Sequence, residues 1–532
     1  MNIVPSRHFE KAIGGSEPLT AIVAPPPTPN GDLHLGHLAG PYLSADVLLR
    51  YHRMRGRKCV SAISVDLHQS YLVTTAEKLS LDPIDLAQRQ FDNIEATLAA
   101  AEICFDIVGM PDANYTAYIQ DWFRRLHAGG AFETIQTIVP YDKSRGRFLF
   151  EAYASGWCPT CLAATKGNIC EACGHPNQAV RLFNLHATGG RPGEPLEMRH
   201  QSELVLNLER WRDQLMHHLL AALPELRPNL RRLIKELLSG TLPAFPITFP
   251  SKWGIPAPFP DCRDLVLNVW AEMVPGHYYW LERAHAAKGG VSQLIRGGTP
   301  INYVQCLGFD NSFFYVCAHL ALAFAARELG IEALIPRAII TNEFYQLDSF
   351  KFSTSQGHAI WGRDFLHEVP VDEARFYFAW SNPETQQSNF SREDFEAVVR
   401  KEFRAPLLDL RDHLYRLPKP LSTASYKQDS MATALLDRFA AAYEPDHPSL
   451  RLAAQTLANG LIVAIDRAQN HAHAEGFGSF ITALAAGASP LVPSTATSLA
   501  RAIGDERPLV WPMETCLVPR PGTDTWQTRL AS

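Results

Sequence analysis

The sequence predicts an α/β fold in which a parallel-sheet domain is divided by an insertion and followed by a helical bundle. Short β-rich runs alternate with helical periodicity over residues 1–114 and again over 263–388. The alternation is lost over residues 115–262, and residues 389–532 are rich in Ala, Leu and Arg at helical spacing. Alternating strands and helices build parallel sheets of the Rossmann type. We therefore predict two halves of a Rossmann-type domain, an insertion domain and a C-terminal helical domain.

The first strand-helix-strand unit places a candidate site. "LTAIVAPPPTPNG" is a β-rich run that ends in prolines and Asn-Gly, "DLHLGHLAGPYLSADVLLRYHRMRG" has helical spacing up to Gly56, and "KCVSAISVDLHQ" is a buried strand that ends in polar residues. Open parallel sheets bind ligands at the carboxyl ends of their strands. The residues that follow these strands are therefore the predicted site.

Composition limits the class of protein. The 532 residues are 46% hydrophobic and 20% charged with a net charge of −6, so a nucleic acid would have to bind a local basic patch. We find no signal-like N-terminus and no apolar run long enough to span a bilayer, which predicts a cytoplasmic protein without a membrane partner.

Polar groups suited to phosphate and ribose occur at three separate places. His34-Leu35-Gly36-His37 lies at a strand-to-helix junction, where two imidazoles one turn apart offer donors to phosphate oxygens and Gly36 permits close approach of a flat ring. "LGFDNS" places Gly308 and Asp310 at a strand end, and "KFSTSQG" carries Lys351 in a Ser/Thr/Gly loop. A histidine pair at a helix start is also typical of an exposed polar turn.

The cysteines form one cluster in the sequence. Cys158, Cys161, Cys170 and Cys173 make two Cys-x-x-Cys pairs, which can surround Zn²⁺ tetrahedrally as a closed structural site. A redox pair or a chance spacing is the alternative.

These motifs resemble the class I aminoacyl-tRNA synthetases, and among them the methionyl-tRNA synthetase family. HLGH corresponds to the family's "HIGH" signature and KFSTS to "KMSKS", and "APPPTPNGDLHLGH", "VDLH", the four cysteines, "VWAEMVPG", "GFD" and "LVPR" follow in the family's order. The resemblance implies that His34, His37 and Lys351 are catalytic, holding the phosphates of Mg·ATP from opposite sides. It further implies an ATP site made of Asn30, Gly31, His34, Gly36, His37, Gly308, Asp310, Lys351 and Ser353.

The resemblance also assigns an amino-acid pocket, from which this sequence departs. Asp66 matches the carboxylate that binds the α-ammonium, although a strand-end cap is the alternative, and Trp270 matches an aromatic lid that could equally be core. Methionyl enzymes have Leu, Tyr, Tyr and His at the other positions. This chain has Pro26, Thr28, His277 and Tyr315 there. Polar groups left unpaired by a thioether would disfavour methionine, so we expect another amino acid.

Two further departures concern the loop and the acceptor. Thr354 replaces the second lysine of the loop, which would slow activation without abolishing it. The helix that reads the anticodon in the family offers Asp409 and His413 instead of Asn and Arg, and no tryptophan occurs between Trp380 and Trp511. Bases are bound by aromatic stacking and Arg donors. The sequence therefore predicts that tRNA is not the partner.

Three hypotheses remain. The first is a ligase that forms an aminoacyl-adenylate and transfers the acyl group to a small-molecule acceptor, the second an authentic methionine-tRNA ligase, and the third an inactive regulatory paralogue. The chain resembles, in particular, the synthetase-like modules of hydrazine-forming enzymes, which implies an N-hydroxylated amine as acceptor in natural-product biosynthesis and a separate cupin protein for rearrangement. Retention of His34, Asp310 and Lys351 together favours the first hypothesis over the third.

Overall fold

The computed structural model describes residues 18–222, 225–262, 264–290, 294–296, 300–348, 350–351, 359–417, 429–446, 448–470, 476–504, 509 and 511. Its strands are β1 (Leu19–Val23), β2 (Cys59–Ser64), β3 (Ile107–Gly109), β4 (Glu133–Asp142), β5 (Arg147–Phe148), β6 (Ala154–Trp157), β7 (Ala164–Lys166), β8 (Phe183–Ala187), β9 (Glu197–Asn207), β10 (Ala244–Pro246), β11 (Thr248–Phe249), β12 (Val266–Leu267), β13 (Ile301–Gly308), β14 (Ala338–Asn342), β15 (Tyr345–Leu347), β16 (Phe350–Lys351) and β17 (Ser388–Phe390).

The helices are α1 (Leu35–His37), α2 (Leu43–Met54), α3 (Ser70–Leu79), α4 (Pro83–Ala100), α5 (Ala113–Ala128), α6 (Arg212–Ala222), α7 (Pro228–Ser239), α8 (Val269–Ala287), α9 (His319–Glu328), α10 (Gly362–Glu368), α11 (Val371–Trp380), α12 (Arg392–Val398), α13 (Ala405–Arg416), α14 (Ser430–Tyr443), α15 (Leu450–Asn470), α16 (Phe477–Ala488) and α17 (Pro493–Ala502). Among the described residues, no helix combines the length and the hydropathy that crossing a membrane requires.

The central sheet is parallel and has the strand order β14-β13-β1-β2-β3. Its strands are covered on both faces, as crossover helices require. On β1, Ile22 belongs to one buried apolar cluster, whereas Ala21 and Val23 belong to the other. The first cluster includes α2, and the second includes α5, α8 and α9. This arrangement confirms the predicted Rossmann-type parallel sheet.

The segment between β3 and β13 carries three further sheets, of which the smallest is the two-stranded β11-β12 pair. Another is antiparallel with the order β10-β9-β4-β5, and the third has the order β7-β6-β8 and contains the four clustered cysteines near its turns. α5, which spans the predicted boundary at residue 114, packs on α8 in a core that also covers the central sheet. The predicted domain boundaries stay predictions.

Helices α12 to α17 form the C-terminal part, as the periodicity predicts. A π-helical turn, Val399–Arg404, joins α12 to α13. Arg375 on α11 binds Asp46 on α2 at 2.6 Å and donates to the carbonyl of Leu491 at 2.7 Å, with its side chain 2% exposed. Because removing one partner of a buried ion pair leaves an uncompensated charge, this contact fixes α2 relative to the helical part.

Candidate active site

The histidine pair lies where the loop after β1 enters α1. The backbone N–H of His34 donates to Nδ1 of His37 at 3.2 Å, and the two rings are stacked with 3.8 Å between centroids. In a neutral ring this bond places the hydrogen of His37 on Nε2. Both side chains are half-buried, and Gly36 lies between them. The pair is therefore held in a fixed orientation with ring N–H donors.

The loop between β1 and this helix is also ordered by local bonds. The N–H of Asn30 donates to the carbonyl of Thr28 at 2.8 Å, and the Asn30 amide reaches Thr75 on α3 at 3.5 Å. Pro26, Thr28, Asn30 and Gly31 are all half-buried. These residues precede the histidine pair in the same loop, and their predicted roles toward adenine and the amino acid stay predictions.

Two carboxylates follow the carboxyl ends of β2 and β13. Asp66 donates its N–H to the carbonyl of Pro27 at 2.9 Å, which joins the end of β2 to the loop after β1. Asp310 comes two residues after Gly308 ends β13 and accepts from the Asn311 amide at 3.0 Å. Both carboxylates act electrostatically on the buried hydroxyl of Tyr42 and raise its pKa. The carboxylate predicted to bind the ammonium and the carboxylate predicted to bind the ribose thus lie at the same edge of the sheet.

Asp66 lies among other buried acids. Its side chain is 6% exposed, and burial, followed by the charges of Glu272 and Glu151, raises its pKa well above the ordinary value, whereas a bond from Gln69 lowers it. A buried carboxylate with such neighbours is stabilised by an arriving cation. The site is therefore suited to an ammonium group.

Sequence reasoning missed both neighbours of Asp66. Glu272 lies on α8, 2.9 Å from Nδ1 of His68 and 2.9 Å from the hydroxyl of Tyr115 that donates to it. Glu151 comes from the insertion and accepts from Ser70 Oγ at 2.9 Å. Burial raises the pKa of Glu151 to about 7, although bonds from Ser70 and Trp270 lower it. Glu272 stands inside the quoted "VWAEM", but no spacing rule indicated Glu151.

Trp270 stands at the start of α8 as a half-buried wall. Its ring stacks on Phe314 with 3.8 Å between centroids and an interplanar angle of 10°. Asn268 caps the helix by accepting from the Trp270 N–H at 3.0 Å, and His319 contacts the Trp270 carbonyl at 2.7 Å. The predicted lid is thus fixed by stacking and by its backbone.

His277 and Tyr315, which the resemblance assigns to the amino-acid pocket, are in contact with each other. Nδ1 of His277 lies 3.0 Å from the Tyr303 hydroxyl, and its Nε2 lies 3.4 Å from the Tyr315 hydroxyl. Burial lowers the pKa of His277 to about 3, so the ring is neutral at physiological pH. Sequence reasoning missed Tyr303, which alternates with apolar residues on β13 and is typical of core.

Lys351 is placed by its backbone alone. It pairs with Gln346 in the antiparallel ladder of β15 and β16, and β15 pairs in parallel with β17. The predicted residue Ser353, and Thr354 beside it, lie outside the described residues. The role of Lys351 at the phosphates stays a prediction.

The four cysteines come together. The sulfur atoms of Cys158, Cys161, Cys170 and Cys173 all lie within 4.8 Å of one another, and Cys161 and Cys170 are 3.6 Å apart. Cys158 also accepts a backbone N–H from Thr160 at 3.4 Å. Four thiolates at these distances fit tetrahedral Zn²⁺ and leave no position for a substrate.

Comparisons with known proteins agree with this architecture. The family described as tRNA synthetases class I (M) matches residues 20–412. The methionine-tRNA ligase of Rubrobacter xylanophilus is 30% identical over 71% of this chain and 67% of its own length, and that of Thermomicrobium roseum is 32% identical over 69% of this chain and 63% of its own. The chain thus spans about two thirds of the length of these curated relatives.

Solved structures support the fold. The crystal structure of Mycobacterium tuberculosis methionyl-tRNA synthetase bound by methionyl-adenylate superposes with a TM-score of 0.68 at 18% identity, covering 93% of this chain and 100% of that one. The comparisons do not support the closer resemblance to hydrazine-forming enzymes, and they give tRNA ligases where the sequence predicted a small-molecule acceptor. The chain therefore belongs to the class I (M) tRNA synthetase family and is an ATP-dependent ligase of the class I aminoacyl-tRNA synthetase type.

Proposed function

We propose that this protein activates an α-amino acid with Mg·ATP to form an aminoacyl-adenylate. The observation that carries the proposal is that the stacked His34 and His37, the buried Asp66 and Asp310 follow the carboxyl ends of the neighbouring parallel strands β1, β2 and β13. An ammonium at Asp66 would leave the amino-acid carboxylate facing the histidine pair. This arrangement matches the needs of attack on the α-phosphate.

The reaction divides among these residues in a simple way. The carboxylate oxygen of the amino acid forms a bond to the α-phosphorus, and the bond to the bridging oxygen of pyrophosphate breaks. Ring N–H groups of His34 and His37 would stabilise the negative charge that builds on the phosphate, each by about 3–4 kcal/mol if they act as preorganised donors do elsewhere. Mg²⁺ would neutralise the departing pyrophosphate, and Lys351 would assist it.

The acceptor of the acyl group is proposed from the relatives. These relatives are methionine-tRNA ligases, which supports tRNA as acceptor and methionine as amino acid. This is the second hypothesis of the sequence analysis, and the comparisons favour it over the small-molecule acceptor. The prediction that tRNA is not used therefore lacks support.

A small-molecule acceptor remains the second candidate because of one structural observation. On α13, Asp409 is 53% exposed and lies 3.4 Å from His413, so the helix that aligns with the family's anticodon helix presents a carboxylate there. A carboxylate repels a nucleic-acid backbone. The acceptor that the sequence suggests for this second candidate is a hydroxylamine-type amine, with a separate cupin protein as partner.

Zinc at the four cysteines belongs to the same proposal. The distances fit the ion, and its contribution would be to hold the small β7-β6-β8 sheet, which carries no group for the reaction. Glu151 begins the single helical turn Glu151–Tyr153 that leads directly into β6, so loss of zinc would also disturb the amino-acid pocket. A cytoplasmic location stays a prediction from the sequence.

Pyrophosphate exchange tests the proposal directly. The full-length protein with ATP and Mg²⁺ is assayed with each of the twenty amino acids, and a separate assay measures charging of bulk tRNA. Exchange with at least one amino acid supports adenylate formation, and charging then decides the acceptor. Absence of exchange with every amino acid would contradict the proposed function. The variant H217Q, which removes an exposed histidine from α6, is the matched control for histidine substitutions in the site.

A further inference from the structure

A small polar cavity lies beside His277 and Tyr315. It has a volume of about 10 Å³ and is lined by residues of α8, of β13, of the helical segment that follows Asp310 and of the loop before β14. A cavity of this size holds about one water-sized group. His277, Tyr303, Gln305, Tyr315 and His319 supply its polar lining.

The hydrogen bonds around this cavity form a chain. Nε2 of Gln305 donates to the Tyr303 hydroxyl at 3.1 Å, and the Tyr303 hydroxyl lies 3.0 Å from Nδ1 of His277. In the neutral tautomer that accepts from Tyr303 at Nδ1, Nε2 of His277 carries the hydrogen and donates to the Tyr315 oxygen at 3.4 Å. In that tautomer the Tyr315 hydroxyl keeps its own hydrogen to donate to a ligand.

Two buried acceptors face the same space. Within the described part of the chain, Oε1 of Gln305 and Nδ1 of His319 have no hydrogen-bond partner, and the two residues are 3% and 4% exposed. His319 donates from Nε2 to the Trp270 carbonyl, so its Nδ1 is an acceptor. Buried polar atoms without a hydrogen-bond partner destabilise the folded protein. They point to a ligand group that donates a hydrogen bond.

The cavity belongs to the amino-acid pocket by position. His319 holds the carbonyl of Trp270, and the Tyr315 hydroxyl is close enough to Asp66 for that carboxylate to raise its pKa. A side chain that extends from an ammonium at Asp66 past Trp270 would meet the Tyr315 donor and the two acceptors. The surrounding histidines are neutral, since burial lowers the pKa of His319 to about 4. A neutral group is therefore preferred there.

We infer that this cavity is the side-chain subsite and that it selects a small amino acid of the serine class, carrying one hydroxyl. The inference rests on the proposed function and departs from the methionine that the relatives' names suggest. A hydroxyl accepts from Tyr315 and donates to Gln305 or His319. The long thioether of methionine exceeds a space of about 10 Å³ and satisfies neither acceptor.

The test compares kcat/KM for serine, threonine, alanine and methionine in pyrophosphate exchange. Serine is expected to exceed alanine by about tenfold, the effect of one buried hydrogen bond, and methionine is expected to be the poorest of the four. Y315F and Q305L each remove one group from the cavity and are expected to bring the serine-to-alanine ratio close to one.

Y278F is the matched control. Tyr278 also lines the cavity, but its hydroxyl is occupied by the backbone of Leu334, at 3.1 Å from the N–H and 3.3 Å from the carbonyl. It should leave the serine-to-alanine ratio unchanged. Thermal unfolding of each variant reports whether it folds, and the ranking of the wild-type protein decides the inference even where a variant does not.

The possible outcomes distinguish failure of the serine inference from failure of the proposed function. Methionine as the best substrate would overturn the inference and leave the proposed function standing. No exchange with any amino acid would overturn both. A serine preference that both Y315F and Q305L leave unchanged would overturn the assignment of this cavity as the subsite.

Discussion

The two ends of the candidate site are built differently. At the phosphate end, His34 and His37 are half-buried and hold each other through a backbone bond and a stack. At the end proposed to bind the amino-acid side chain, His277 and Tyr315 are 6% and 1% exposed. Both belong to a chain of hydrogen bonds that includes Tyr303. Groups that exchange partners during a reaction need access, whereas groups that select a shape need rigidity. We therefore expect the histidine pair to serve the reaction, and His277 and Tyr315 to select the amino acid.

This separation makes a claim about how the chain differs from its relatives. His34 and His37 keep the residue types of the family signature, whereas His277 and Tyr315 differ from the residues that the resemblance implies at those positions. His277, Tyr315 and His319 pack against one another, so we expect that they can change together while the histidine pair is retained. Variants at the two ends should therefore have effects of different kinds.

The largest effect is expected at the phosphate end. H34A and H37A should each lower kcat for exchange by about 10²–10³-fold, because each removes a donor to the charge that develops on the α-phosphate. The measurement is exchange with the best amino acid at saturating ATP. The same loss should occur with every amino acid that is activated, and H217Q should retain the activity. A change in amino-acid preference in H37A would contradict the proposed division between residues for the reaction and residues for amino-acid selection.

Asp66 comes next. D66N should raise KM for the amino acid by about 10–100-fold, since a hydrogen bond to a charged group contributes about 1.5–3 kcal/mol. Burial raises the pKa of Asp66, so the carboxyl is neutral at low pH and gains its charge as the pH rises. KM of the wild-type protein should therefore fall with rising pH, and D66N should lose that component of the profile. A wild-type KM independent of pH would contradict this assignment.

The sequence predicted those parts of the site that depend on local order. Proline, Asn-Gly and helical spacing place His34 and His37 between β1 and α2, and the polar end of β2 places Asp66. Each prediction uses residues that are neighbours in the chain, for which backbone preference and periodicity suffice. The cysteine cluster is predictable for the same reason, because both pairs have short spacing.

Groups brought in from a distance could not be predicted. Glu151 contributes to the pocket from 85 positions beyond Asp66, and only the packing of the insertion on α3 places it there. Gln305 and His319 lie in apolar runs, where a polar residue is ordinarily explained as satisfied core. Which atoms remain without partners depends on tertiary hydrogen bonding, and no pattern in the sequence carries that information.

A medium-sized effect is expected at the side-chain end. H277A removes the centre of the hydrogen-bond chain and enlarges the cavity, so larger apolar side chains should gain about fourfold in kcat/KM per buried CH₂ group, from about 0.8 kcal/mol each. Exchange with alanine, valine and methionine measures the gain. KM for ATP should stay within about twofold. An equal loss of kcat/KM for all amino acids, with no gain for the larger ones, would show that His277 also serves the reaction. This result would contradict the proposed division between the two ends of the site.

The smallest effect is expected at Glu151, which accepts a hydrogen bond from Ser70 and whose charge acts on Asp66. Burial raises its pKa to about 7, and the group gains a negative charge near Asp66 as the pH rises through that value. An ammonium ligand should then bind better, so KM for the amino acid should fall by about two- to fivefold between pH 6 and pH 8 beyond the effect of Asp66 itself, the size of an indirect charge interaction. E151Q keeps the shape and the contact with Ser70 but cannot titrate, so it should lose this step near pH 7 while kcat changes little.

E203Q is the control, because burial also raises the pKa of Glu203 to about 7 but it lies on β9, away from the pocket. If E151Q and E203Q give the same pH profile as the wild-type protein, Glu151 does not act on the ammonium, and the β7-β6-β8 sheet supports the pocket by packing alone.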